Sequence, residues 1–188
     1  MRALRLQMQI SLDGFVSGPN GEMDWMEWDW DDDLNDYVAT FTESVDNILL
    51  GRKLAEAFIP YWSNAARTPQ HPEHRFASRM DDTSKTVFSK KLHEAPWPNT
   101  KIAHGNLADE INKLKKQKGK DIIVYGGAGF VSSLVKLGLI DDYQLLVNPV
   151  AIGKGLTIFG ELENNLHLQL VGSRSFECGI VALRYKPW

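Results

Sequence analysis

At 188 residues, 43% hydrophobic and 24% charged, the chain is long enough to bury a substantial core as one domain. A net charge of −3 gives a general nucleic-acid role no electrostatic support, and no apolar run approaches the ~20 residues of a membrane span. The lone Cys178 cannot close an internal disulfide, which fits a reducing cytoplasm, and it reads as a small buried residue rather than a nucleophile.

The N-terminus lacks the continuous apolar core of a signal peptide and leads into a predicted strand, Arg5 to Ser11. Leu12-Asp13-Gly14 reads as a tight turn and Phe15-Val16-Ser17 as a short extended piece, closed by Gly18-Pro19-Asn20-Gly21. Asp31 to Thr42 is predicted helical, with Leu34, Tyr37, Val38 and Phe41 on one face. Asn47 to Leu50 reads as a buried strand ending at Gly51, and a short helix through Leu54, Ala57 and Phe58 is expected to stop at Pro60. Ser63 to Pro72 reads as loop, Arg75 to Met80 as one helical turn, and Lys85 to Ser89 as a strand. A proline-bearing loop, His93 to Asn99, precedes a short strand at Lys101 to Ala103. Asn106 is placed to cap a helix with Leu107, Ile111 and Leu114 inward and Gly119 as terminator. Ile122 to Tyr125 is a strand that stops at Gly126-Gly127, and a helix follows with Phe130, Val131, Leu134 and Leu137 at helical spacing and Gly138 as its stop. A strand at Tyr143 to Val147, a glycine-spaced loop from Gly153 to Phe159, and a closing antiparallel hairpin of Leu166–Gly172 and Gly179–Tyr185 complete the chain. Strands alternate with helices through the middle and run consecutively at the end. The pattern implies an α/β sheet, parallel inside, with an antiparallel edge.

The chemistry concentrates where strands give way to helices. A strand that runs through glycines into a helix exposes unpaired N–H groups at the positive end of a helix dipole, a ready anion site. Gly126-Gly127-Ala128-Gly129-Phe130 has this form. It is not a dinucleotide fingerprint of the Rossmann type, because Ser132 stands at the third glycine position and no acid follows at the ribose-binding distance. Gly51-Arg52-Lys53 and Ser89-Lys90-Lys91 repeat the same logic, with cations or a hydroxyl at the C-terminal edge of a strand. Asp29, Asp31 and Asp33 mimic the start of a calcium loop, but Leu34 and Thr40 occupy its obligatory Gly and Glu positions. His71 and His74 have poor metal spacing and no accompanying ligands, and no nucleophile-elbow motif is present. Asp33 lies about 40° from Tyr37 on the helical wheel and so borders the buried stripe, where a carboxylate could grip a substrate N–H or supply a proton.

The chain resembles the dihydrofolate reductase-like superfamily, in the branch related to the C-terminal reductase domain of the bifunctional riboflavin biosynthesis deaminase-reductase. Ser11-Leu-Asp-Gly-Phe-Val-Ser-Gly18, Leu49-Leu-Gly-Arg52, Thr86-Val-Phe-Ser-Lys90, Val124-Tyr-Gly-Gly127, Gly138-Leu-Ile-Asp-Asp142 and Asn148-Pro-Val-Ala-Ile-Gly-Lys-Gly155 carry the likeness, in order, over almost the whole chain. The resemblance implies a three-layer α/β/α sandwich spanning 1–188, with NADPH across the strand ends. Gly51, Arg52 and Lys53 would hold phosphates, and Ser89 and Lys90 would approach the adenosine 2′-phosphate. Gly126, Gly127, Ala128, Gly129 and Phe130 would cradle the pyrophosphate, while Val16 and the Gly18–Trp25 loop would face the nicotinamide. Asp13, first, and Asp33, second, are the candidate substrate acids. The acidic-aromatic stretch Met23–Trp30 could stack on a planar ring. A cytoplasmic homodimer acting on a small pterin-like or pyrimidine-like heterocycle, without nucleic acid, membrane or metal, is the implied setting. The alternative is a module that binds NADPH without turning it over, and genuine dihydrofolate reduction is a third reading. The chain departs from the riboflavin reductases at Tyr125, where they carry Glu, and at Gln7 and Gln9, where a basic residue is usual. It departs from folate reductases at Leu54, where they carry Thr.

Overall fold

A computed structural model describes residues 1–188. In chain order the elements are β1 (Leu4–Ser11), α1 (Asp32–Thr42), β2 (Val45–Gly51), α2 (Arg52–Ala66), α3 (His74–Asp82), β3 (Ser84–Phe88), β4 (Thr100–Ala103), α4 (Leu107–Lys116), β5 (Asp121–Gly126), α5 (Ala128–Lys136), β6 (Asp142–Asn148), β7 (Leu168–Ser175) and β8 (Val181–Pro187). One 8-stranded sheet takes them in the order β4-β3-β2-β5-β1-β6-β8-β7. The pairs from β4 to β6 are parallel, and β6–β8 and β7–β8 are antiparallel. The expected α/β architecture with an antiparallel C-terminal hairpin is the one observed, with the hairpin strands starting two residues later than the alternation suggested.

Right-handed crossovers decide which face each helix takes. The chain moves from β1 outward to β3 through α1, α2 and α3, which cover one face. It returns from β4 to β6 through α4 and α5, which cover the other. Leu4, Leu6 and Ile10 of β1 and Ile122 and Val124 of β5 therefore pack with Ile111 of α4 and Val131, Leu134 and Val135 of α5. Ile48, Leu50 and Ile123 face the opposite way, against Ala55, Ile59 and Met80. Each such buried aliphatic side chain contributes about 1.5–3 kcal/mol.

Caps follow the sequence closely in places. Asp31 accepts from the Leu34 N–H at 2.8 Å to start α1 and Asn106 accepts from the Ala108 and Asp109 amides to start α4. Gly138, at φ +62, ends α5 in the left-handed conformation that glycine adopts freely. Three expectations are corrected. Helix α2 does not stop at Pro60 but runs on to Ala66, because the apolar stripe of Ala55, Ile59 and Ala65 continues across the proline and stays buried. Part of the expected 63–72 loop is thus helical, and α3 is longer than one turn. Leu137, at helical spacing in the sequence, is 50% exposed at the end of α5. Cys178 is half-buried, with its backbone N–H donating to Asp31 at 3.2 Å. No helix is long and apolar enough to cross a membrane.

Candidate functional site

Two strands turn into helices at one place. β2 passes through Gly51 into α2, and β5 through Gly126-Gly127 into α5, and neither N-cap glycine supplies a side-chain cap. Because β5 lies beside β2 in the sheet, the two helix starts touch: a Cβ added at Gly51 would sit 2.9 Å from the Phe130 Cβ and 3.5 Å from the Gly127 nitrogen. Two sets of unsatisfied N–H groups and two positive dipole ends converge there. At Gly129 a Cβ would meet nothing within 4 Å, so the start of α5 is open to a ligand. Gly126, at φ +140, is held where L side chains are strained, and its own Cβ would press on Leu54 Cδ2 at 3.1 Å and Met8 Cε at 3.3 Å.

The cations expected at the strand ends divide into two groups. Arg52 pairs with Glu56 at 2.6 Å, one turn along its helix. Lys53, Lys90 and Lys91 are exposed and make no ion pair. Ser89 is buried, and its Oγ accepts from the Lys91 and Leu92 amides at 3.0 and 2.9 Å, so it shapes the turn that presents the lysines. Phe130 packs its ring on Phe88, with centroids 5.0 Å apart, and closes the space above Gly51. Val16 is buried beside the same strand ends, with its N–H donating to the Leu156 carbonyl at 2.8 Å.

The two candidate acids are not free carboxylates in a pocket. Asp13 accepts from Ser11 Oγ at 2.6 Å, from the Gly153 N–H at 2.7 Å and from the Ile152 N–H at 3.2 Å. These bonds, the Ser11 hydroxyl foremost, hold its pKa below the ordinary carboxylate value. Asp13 therefore ties the loop after β1 to the loop after β6. Asp33 does not border a buried stripe. Its side chain is 71% exposed and pairs with Arg174 of β7 at 2.5 Å, because α1 turns Leu34 and Val38 to the core and leaves Asp32, Asp33 and Asp36 outside.

A row of uncharged polar groups between these landmarks was not anticipated as a unit. Gln7 of β1 lies opposite Gln144 of β6 and donates to it. Asn148 Nδ2 donates to Gln9 Oε1 at 2.9 Å, and Asn148 Oδ1 accepts from the Glu27 N–H at 2.7 Å, which pins the Met23–Trp30 segment over the strand ends. Tyr125 stacks on Phe58, with centroids 5.5 Å apart, and burial pushes its hydroxyl pKa well up. The alternation of Gln7 and Gln9 with apolar residues was the available signal. A surface concavity of about 440 Å³ lined by Glu43, Ser44, Lys120 and Asp121 lies at the opposite, N-terminal strand ends, has no hydrophobic residue in its lining and takes no part in this site.

The family model described as the RibD C-terminal domain matches residues 2–182. The chain belongs to the RibD C-terminal domain family. The uncharacterized protein YyaP of Bacillus subtilis (strain 168) is 34% identical over 186 residues, covering 98% of this chain and 94% of its own. In fold, this RibD C-terminal domain is similar to the Thermotoga maritima diaminohydroxyphosphoribosylaminopyrimidine deaminase/5-amino-6-(5-phosphoribosylamino)uracil reductase, with TM-score 0.71 and 16% identity, over all of this chain and 57% of that one. It is also similar to the dihydrofolate reductase of Enterococcus faecalis, solved with NADP(H), with TM-score 0.62 and 14% identity, over 98% and 96% of the two chains. The family and its neighbours are reductase-like.

Proposed function

We propose that this RibD C-terminal domain is an NADPH-dependent reductase of a small pterin-like or pyrimidine-like heterocycle, working as a cytoplasmic homodimer. The observation that carries the reading is the meeting of two glycine-capped helix starts, open at Gly129, beside a turn that presents unpaired lysines. The backbone N–H groups that follow Gly51 and Gly127 would hold the pyrophosphate. Lys53 and Lys90 would add point charges toward phosphate, with Ser89 shaping the Lys90 turn. Bound there, NADPH supplies the hydride. Val16 offers an apolar wall on the approach to the nicotinamide, and Met23–Trp30 excludes water from the substrate side. Asp13 enters as a positioning residue: it fixes the Leu12–Gly14 and Pro149–Gly155 loops against each other. Asp33 enters as a charge on the rim. The exposed edge strand β7, with Leu170 53% and Val171 48% exposed, is the apolar surface a second copy would cover, which sedimentation velocity tests.

Calorimetric titration with NADPH and NADH tests the cofactor. Tight NADPH binding, at least tenfold weaker NADH binding, and loss of that preference in Lys90→Ala are expected. Binding of neither nucleotide overturns the reading. A nucleotide-binding module without turnover is the second reading, favoured by the engagement of both Asp13 and Asp33 within the protein. NADPH binding with no oxidation across a pterin and pyrimidine panel would select it.

A further inference from the structure

Resting on the reductase reading, we propose that His93 and His104 are phosphate ligands at the ends of β3 and β4. Their protonation ties the grip on the NADPH 2′-phosphate, and the preference over NADH, to pH: both strengthen as pH falls through the histidine range. The first observation is where the two rings stand. β4 pairs with β3 in parallel, Ala103 opposite Phe88, and the Ser89 N–H donates to the Ala103 carbonyl at 3.2 Å. His104 therefore leaves β4 beside the turn that begins at Ser89. His93, further along the same connection, stacks on it, with centroids 6.0 Å apart and ring planes 29° apart. Both histidines, Lys90 and Lys91 are exposed, and none of them is in an ion pair.

The second observation is the hydrogen bond that fixes His104. Its Nδ1 lies 3.0 Å from the Ser89 carbonyl oxygen. A carbonyl only accepts, so Nδ1 carries the proton and donates, and Nε2 is the free nitrogen. Ser89 is buried and its Oγ accepts from the Lys91 and Leu92 amides, so the carbonyl that orients the ring is itself held in place. On neutral His104, Nε2 is a lone pair, which a phosphate oxygen cannot use. On protonated His104 it is an N–H donor carrying positive charge, which bonds a phosphate oxygen strongly. The site therefore takes the anion together with a proton. Charge on both stacked rings beside Lys90 and Lys91 is mutually repulsive, and a doubly negative phosphate relieves it. Glu110 of α4, whose carboxylate lies against Gly105, is paired with Lys113 at 2.7 Å. Glu94, the neighbour of His93 in the chain, is exposed and pairs with no cation.

Calorimetric titration of the full chain with NADPH and with NADH, from about pH 6.5 to about pH 8.5 and in two buffers of different ionisation enthalpy, tests this. NADPH affinity is expected to fall roughly threefold or more over that range while NADH affinity holds. NADPH binding near pH 7 is expected to take up protons from the buffer, and NADH binding to take up none. The direction separates the histidines from the ligand. The same rise in pH makes the 2′-phosphate, with a second pKa of about 6, more fully dianionic, and lysine ordinarily keeps its charge throughout. Without the histidines, NADPH affinity would therefore hold or rise. His104→Asn keeps a side-chain amide to donate to the Ser89 carbonyl and removes Nε2. Combined with His93→Gln, it is expected to flatten the NADPH profile and abolish the proton uptake, with a thermal melt like the parent's reporting an intact fold. Tight NADPH binding whose profile runs parallel to that of NADH overturns this proposal alone, as does proton uptake that persists in the double variant. Binding of neither nucleotide at any pH overturns the reductase reading and this proposal with it.

Discussion

Asp13 illustrates how a carboxylate in a candidate site can be occupied by its own fold. The Ser11 hydroxyl is the largest cause of its lowered pKa, with the Gly153 and Ile152 amides adding to it against the cost of desolvation. A carboxylate whose folded-state pKa is depressed contributes stability above its unfolded value, and that contribution is lost as pH falls through the folded value. Asp13→Asn is therefore expected to lower the Tm at neutral pH, with the gap to the parent closing below about pH 4; thermal melts across a pH series check this. A gap that persists at pH 2 would show that the side chain acts through shape rather than charge. Gly51 works by absence. A methyl group there would press on Phe130 Cβ at 2.9 Å, so Gly51→Ala is expected to cost about 1–3 kcal/mol in urea denaturation and to weaken NADPH by moving the start of α5.

At the scale of elements, the start of α5 offers a cleaner test than removal of any single cation. Gly129 has open space where a side chain would go, so Gly129→Glu fits without a clash. A carboxylate in the first turn favours the helix dipole by about 0.3–1 kcal/mol, and glutamate is a better helix former than glycine. The same charge repels a phosphate at that spot. The variant is expected to melt at or above the parent's Tm and to lose at least tenfold in NADPH affinity by calorimetry; unchanged affinity would move the phosphates away from α5. Helix α2 shows the limit of local rules. Pro60 removes one backbone donor, a cost of about 3 kcal/mol in a helix interior, yet the helix continues, because Ile59 and Ala65 are buried and Trp62 packs edge-on against Phe58 and Phe76.

At the scale of the molecule, a ligand bound only by the folded chain stabilises it by mass action. NADPH at a hundred times its Kd would add about 2.7 kcal/mol, which raises the Tm of a protein this size by roughly 5–10 °C. NADH at the same concentration is expected to give a clearly smaller shift, and equal shifts in differential scanning fluorimetry would remove the case for 2′-phosphate recognition by Lys90. The strand order supplies this site. β5 inserts between β2 and β1, and that insertion places Gly127 against Gly51.

Most element types, and the positions where strands break into helices, are written locally in the chain; the run of α2 past Pro60 is not. Hydrophobic period, the caps at Asp31 and Asn106, and the steric freedom of Gly138 act over a few residues and are legible there. The glycine junctions at Gly51 and Gly126-Gly127 were legible for the same reason. Which residues meet across the sheet is set by the fold. Gln7 and Gln144 are 137 residues apart and bond across a sheet covered on both faces, so an alternation that would put glutamines in water on an open sheet buries them here. Asp13 was legible as a polar residue in a turn, but its partners Ile152 and Gly153 come from a loop 139 and 140 residues away. Local propensity acts within a turn or two of chain, whereas these contacts follow from the strand order and from the packing that holds it.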